Sequence, residues 1–248
     1  MSYRALIYLG CLFFPGLLSA QNATEIVRKA DQHVRGNTSV SELTIRIIRP
    51  TWSREMTMKA WSKGDDLAMI LITSPAKDRG TGFLKRKKEV WNWLPAIERN
   101  VKLPPSMMSQ NWMGTDFTND DLVKEASIVV DYTHELAGEE SIGGRNCFII
   151  SMLPRPEAAV VWGKVLLWID KKDFMMMKAE YYDEEGELIN LMTSRDVRQL
   201  GGRLIPATME MIPVKKKGNK TVMTYTQIVF DQPLTDNFFS IQNIQNVK

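Results

Sequence analysis

From Leu43 onward apolar residues recur at every second position, and no other feature of the chain constrains its fold as strongly. Leu43, Ile45 and Ile47 alternate with Thr44 and Arg46; Met56, Met58 and Ala60 alternate with Thr57 and Lys59. Successive side chains of a strand point to opposite faces, so each run reads as a strand with one buried face. Residues 67–73, LAMILIT, are apolar on both faces. Val165, Leu167 and Ile169 resume the alternation, and strand-like runs follow at 175–182, 187–193, 206–212 and 220–230. Turn signals separate them: Lys63-Gly64-Asp65, Gly143-Gly144, Asp183 to Gly186, Gly201-Gly202 and Lys217-Gly218-Asn219. Strands at this spacing predict an antiparallel meander. A twisted meander of this length must curl or close. Its inner face then has to be filled by side chains, by a helix laid across it or by a ligand.

Ahead of the strands, residues 22–35 read NATEIVRKADQHVR. Ile26, Ala30 and Val34, with Val27 beside them, form one apolar stripe of an amphipathic helix. Asn22 or Thr24 can cap its start, Gly36 with Asn37 stops it, and His33 falls on its surface. Between 104 and 126 the strand pattern breaks. Ser106 is placed to cap a short turn through Met107 and Met108. Thr118 is placed to cap a second, TNDDLVKE, whose acidic first turn suits a helix N-terminus.

The first twenty residues are of another kind. Arg4 is their only charge, Ala5 to Leu18 are apolar, and Leu18-Ser19-Ala20 precedes polar Gln21. This is the pattern of a secretory signal cut after Ala20, too short for a comfortable membrane span. The expected organisation is therefore a signal over 1–20 and one domain over 21–248. Tyr8-Leu9-Gly10 before Cys11 does not make a lipoprotein box. Removing the signal leaves Cys147 as the sole cysteine, so no internal disulfide is available and the fold rests on its core. A net charge of +3 in 248 residues argues against nucleic-acid binding. The runs Lys85 to Lys88 and Lys215 to Lys217 read as solvated hairpin tips.

Catalytic patterns are missing. His134 opens HELAG without the second histidine of a zinc-protease helix, no G-x-S-x-G occurs, and Gly80-Thr81-Gly82 lacks the Gly-Lys-Ser/Thr of a P-loop. Asp120-Asp121 and Glu184-Glu185 suit caps and turns. No catalytic residue, metal ligand or cofactor is predicted, and the chain is read as a non-enzyme.

Residues 90–117, VWNWLPAIERNVKLPPSMMSQNWMGTDF, instead put three Trp and three Met among loop-forming Pro, Asn, Gly and Ser. Methionine is flexible and polarizable and suits irregular apolar partners. Met56, Met58, Met209 and Met211 thus suggest a soft inner face, to which this segment adds Met107, Met108 and Met113. Trp91 and Trp93 lie two apart and share one face of a strand. That face, or the following loop with Trp112, is expected to meet the interior, with Leu94 and Phe117 as further candidates. Arg99 reads either as a solvated side chain or as a clamp on a carboxylate such as Asp116.

Three stretches then carry a family likeness: Gly82-Phe83-Leu84; Trp91 with Leu94-Pro95 and Arg99; and Trp112-Met113-Gly114-Thr115-Asp116-Phe117 with Asp120 and Asp121 following. Gly163-Lys164-Val165 to Trp168-Ile169-Asp170, Ala179-Glu180-Tyr181-Tyr182 and Gly201-Gly202-Arg203 with Ile205-Pro206 extend it. Together they resemble the outer-membrane lipoprotein-sorting proteins of the LolA-like superfamily. The similar subgroup is that of proteins whose genes often sit beside exporters of the resistance-nodulation-division type. Trp112 stands where that pattern has Phe. The resemblance implies a mostly β fold: a strongly curved, unclosed antiparallel sheet, a half-barrel, with helices lidding its concave face. It implies a soluble carrier in the periplasm of a Gram-negative bacterium, serving outer-membrane biogenesis. Its cargo would be acyl chains of lipids or lipoproteins, with transient membrane contact and an inner-membrane exporter as partner. The alternatives are an adaptor of such an exporter with no cargo of its own, or an enzyme acting on envelope lipids.

Overall fold

The computed structural model describes residues 16–123 and 128–247. Arg4, Cys11 and most of the signal's apolar run lie outside them, as do Lys124 and Glu125 of the second expected helix.

Helix α1 spans Gly16–Arg35. It starts earlier than the sequence reading placed it, because Leu17, Leu18 and Ala20 are themselves good helix formers. Thr24 consequently lies inside the helix instead of capping it. The stop is as expected: Gly36 takes φ of 65° and its N–H bonds the Gln32 carbonyl at 2.8 Å, a left-handed C-terminal cap.

Among the described residues thirteen strands form a single antiparallel sheet. In chain order they are β1 Thr38–Ile48, β2 Ser53–Lys63, β3 Leu67–Ser74, β4 Gly82–Arg86, β5 Glu89–Leu94 and β6 Arg99–Leu103, then β7 Tyr132–Ile142, β8 Arg145–Pro154, β9 Lys164–Asp170, β10 Met176–Tyr182, β11 Leu188–Leu200, β12 Arg203–Pro213 and β13 Lys220–Phe230. The spatial order is β6-β5-β4-β3-β2-β1-β13-β12-β11-β10-β9-β8-β7. Two meanders are thus joined where β1 pairs with β13, and β6 and β7 are left as unpaired edges. The sheet is the antiparallel meander that the alternation predicts, in the unclosed half-barrel form that the family resemblance implies.

The segment 90–117 begins as paired strands before it becomes a loop. Glu89–Leu94 and Arg99–Leu103 pair as β5 and β6, around a tight turn over Pro95–Ile97 that Glu98 closes at φ 51°. β7 also escaped the periodicity. It is an edge strand with Glu135, Glu139 and Glu140 toward solvent, and a bulge between Leu136 and Gly138 breaks its alternation.

The inner face holds two contiguous apolar clusters. In one, Ala23, Ile26, Val27 and Ala30 of α1 pack on Ile150, Val165 and Leu167 of β8 and β9. In the other, Ile45, Met56, Ile72, Phe83 and Val90 continue across β1 to β5. On the outer face the chain's end, residues 231–247, crosses β2 to β5 and buries Phe239 and Ile244 against Met69 and Leu84. Gly82 permits that crossing, since a Cβ there would stand 2.7 Å from Ile244 Cγ1. Cys147 is a buried strand residue among Trp168, Met175 and Met177.

Both histidines fasten α1. His33 is not a free surface residue: its Nε2 bonds the Leu204 carbonyl at 2.6 Å. His134 of β7 bonds Thr24 Oγ1 at 3.1 Å through Nδ1 and the Ile128 carbonyl at 2.7 Å through Nε2. Burial pushes the His134 pKa below its ordinary 6.5; the Ile128 carbonyl opposes this, and Arg155 and Arg28 add to it. The unfolded chain therefore takes up this proton first as pH falls. The His134 contribution to stability is complete above pH 6.5 and is lost as pH drops from there toward the folded pKa. Urea unfolding of His134→Gln and of the wild type at pH 8 and pH 5 should show the smaller acid loss in the variant. Equal losses would remove His134 from the account.

Candidate functional site

β6 ends at one edge of the sheet and β7 begins at the other, and of the connector between them residues 104–123 lie over the open side. Its centre is a tight knot. Asn111 and Thr118 form an isolated bridge, and the Trp112 N–H bonds the Phe117 carbonyl at 2.9 Å. Met113 and Gly114 turn the chain at φ 48° and 79°, and the Thr115 hydroxyl donates to the Trp112 carbonyl at 2.7 Å. The knot drives Trp112 fully into the core, its ring centroid 5.2 Å from that of Phe83. This contact unites two of the sequence motifs.

Asp116 points at the sheet. Its Oδ2 accepts from Arg49 Nη1 at 2.9 Å and from the Thr221 hydroxyl at 2.7 Å. Its N–H donates to Thr221 Oγ1 at 2.9 Å, and its carbonyl accepts from Asn190 at 3.2 Å. Arg49 Nη2 also donates to the Gly114 carbonyl at 2.9 Å. The clamp on Asp116 is therefore Arg49 and not Arg99, which lies exposed at the start of β6. Helix α2, Asn119–Val123, follows with the expected cap: the Asp121 N–H donates to Thr118 Oγ1 at 3.1 Å and the Thr118 N–H to Asp121 Oδ2 at 2.8 Å. Ser106 does not cap the earlier turn; Pro105–Met107 starts from Pro104 with no side-chain cap.

Between the connector, α1 and the sheet lies a cavity of about 300 Å³. Of the sequence candidates, Met58, Phe117 and Met209 line it. Met56 and Met211 lie in the adjoining core with Met108 and Trp112, and Met113 packs against them. Met107 is half-buried, and its carbonyl accepts from Asn119 at 2.8 Å. Leu94 is half-buried at the end of β5. Trp91 and Trp93 do share a face, but it is the outer one. Val90 points inward, so alternation turns both rings toward Phe239 and Ile244 of the chain's end.

The sequence reading missed most of the wall: Met152, Met176, Met192, Met223, Trp162 and Tyr181. Burial pushes the Tyr181 and Tyr225 hydroxyls up, so both stay neutral. Also missed was a charged end. Arg35 holds Asp31 at 2.8 Å and Asp65 at 3.2 Å, and Ser39 and Ser62 share a hydrogen bond of 2.8 Å. Lys85 faces the same space with only 5% of its surface exposed. It is not part of a solvated hairpin tip, since it shares the inward face of β4 with Phe83; Lys87 and Lys88 alone form the tip. Burial, and next the charge of Arg35, lower the Lys85 pKa. Among the described residues no three metal-ligating side chains cluster, and no helix is long and apolar enough to cross a membrane.

A single unclosed antiparallel sheet with a helix and a crossing connector on its concave face defines the class as a LolA-like half-barrel. The chain belongs to a family described as "uncharacterized protein", whose model matches residues 64–246. Three solved structures share the fold. A LolA superfamily protein of Nitrosomonas europaea is 25% identical with a TM-score of 0.76, over 89% of this chain and 98% of that one. A DUF1329 family protein of Desulfovibrio piger is 22% identical with a TM-score of 0.82, over 91% and 99%. A domain ascribed to outer membrane lipoprotein sorting, from Vibrio parahaemolyticus, is 21% identical with a TM-score of 0.80, over 91% and 99%. None of the curated proteins matches the chain.

Proposed function

We propose that this protein is a periplasmic carrier that shields acyl chains of lipids or lipoproteins between the inner and outer membranes, after removal of a signal ending at Ala20. The observation that carries this reading is the apolar cavity of about 300 Å³ roofed by the connector. A water occupies about 30 Å³ and a methylene about as much, so the closed cavity has room for roughly ten methylenes. At about 0.8 kcal/mol each, these contribute on the order of 8 kcal/mol before ordering costs. A longer chain, or a second one, needs the connector to lift. The methionine-rich wall suits cargo of variable shape. An inner-membrane exporter of the resistance-nodulation-division type is the donor or acceptor partner that the family resemblance favours.

The test is to express the whole chain in a Gram-negative cell, recover it from the periplasm, sequence its N-terminus and extract bound lipid for mass spectrometry. The expected protein begins at Gln21 and carries lipid. Ala60→Trp, which puts an indole into the cavity, should reduce the load by about tenfold or more, because displacing two methylenes already removes roughly 1.6 kcal/mol. Lipid-free wild-type protein that nonetheless binds an exporter would replace the carrier with an adaptor.

A further inference from the structure

Because the sheet is an antiparallel meander, alternate hairpin tips gather at the same end of the half-barrel. The β1–β2, β3–β4, β5–β6, β10–β11 and β12–β13 connections all lie at the end where Arg49 pins the connector. Three of these tips raise a large apolar side chain into solvent: Trp52 is 51% exposed, Ile97 57% and Val214 47%. Neighbouring hairpins of a sheet stand about 10 Å apart. The tips that bear Trp52 and Val214 come close together, since a Cβ on Gly218 would stand 3.2 Å from Pro50 Cγ. Trp52 also lies beside the peg: its carbonyl accepts from the Arg49 N–H at 2.9 Å, and its ring centroid is 5.8 Å from the guanidinium. Single exposed apolar residues are ordinary on a protein surface, but their collection at the tips of one end is not.

The charges around these side chains have a sign. Lys77, Arg99, Lys216 and Lys217 are exposed and have no side-chain partner among the described residues. Lys215 is held by Glu187, and Asp78 by Arg54. Glu55 and Glu98 are the exposed carboxylates among them, so cations remain in excess around Trp52, Ile97 and Val214. The β10–β11 tip beyond Val214 is acidic instead, with Glu184 and Glu185 exposed. Isolated apolar side chains on separate tips, interspersed with free cations, do not make the contiguous apolar core of a protein interface. They suit a bilayer, where an indole settles at headgroup depth and each lysine adds attraction to anionic lipid. We propose that this end of the half-barrel docks on an anionic membrane surface, with Trp52, Val214, Lys216 and Lys217 at the centre of the contact and the acidic β10–β11 tip tilted away. The docked end is then the one at which the connector is held. This rests on the carrier reading above and adds the surface through which the carrier meets a membrane.

Protein recovered from the periplasm can be floated with phosphatidylcholine vesicles that contain or lack phosphatidylglycerol. The wild type should bind the anionic vesicles about tenfold more strongly, and added salt should release it. Lys216→Gln with Lys217→Gln should lower binding to anionic vesicles by about tenfold, the scale of two lysines at such a surface. Trp52→Ala should lower it several-fold. These positions are exposed, so circular dichroism and thermal melting of the variants should match the wild type. Lys87→Gln with Lys88→Gln removes the same charge from the exposed β4–β5 tip at the opposite end and should leave binding unchanged. An equal loss in that control reduces the effect to net charge and overturns the docking surface. Equal binding of the wild type to both vesicle types, or to neither, overturns it as well, while lipid extracted from the same protein keeps the carrier standing. Exporter binding that the tip variants lose, with no vesicle binding by the wild type, makes this end a protein interface instead.

Discussion

Replacing Arg49 by Met is expected to lower the unfolding free energy by about 3–5 kcal/mol, the cost of leaving a buried charge without its partner. Asp116 has 3% of its side chain exposed and Arg49 12%, so water cannot take over the lost contact. Met keeps most of the arginine stem, which limits the loss of packing. Asp116→Asn keeps the shape and an acceptor for Thr221 and should cost less. The double variant should cost less than the sum, because both changes break one interaction. Urea unfolding measures all three. Hydrogen exchange supplies the local readout, with amides of 112–122 gaining exchange before those of β1. Arg99→Ala is the control; Arg99 is exposed, and its loss should stay within about 0.5 kcal/mol. An Arg49→Met protein as stable as the wild type would mean that the connector is held by Trp112 and Phe117 alone.

The second large effect belongs to Trp112. Truncation to Ala at this fully buried position should cost about 3–5 kcal/mol, because the ring fills the space over Phe83. Trp112→Phe should be far milder. The indole Nε1 is buried with no hydrogen-bond partner among the described residues, and an unsatisfied buried donor costs about 1–3 kcal/mol. Phe removes that donor while keeping a ring against Phe83, so the lost contacts and the lost penalty offset one another. Phe is also the residue that the resembling family has before Met-Gly. A Phe variant as unstable as the Ala variant would show that the indole nitrogen finds a partner after all.

What the sequence disclosed follows from the range of the interactions concerned. Strands such as β1 and β2 bury one face, so their alternation is written locally. The Thr118–Asp121 box and the Gly36 stop are likewise complete within a few residues. Trp91 and Trp93 misled because β5 is apolar on both faces, and what covers its outer face is residues 231–247, far along the chain. Arg49 and Asp116 stand 67 positions apart, and nothing near either one announces the other. Lys85 was hidden in a basic run whose inward member is revealed only by the register of β4 against β3 and β5.

The connector leaves one rim of the open sheet and arrives at the opposite rim, which makes it a bowstring across a bent bow. A flap hinged at one end can swing clear while its frame stays still; a string tied at both ends cannot. Arg49 is the peg that holds this string down on the sheet, through Asp116 and the Gly114 carbonyl.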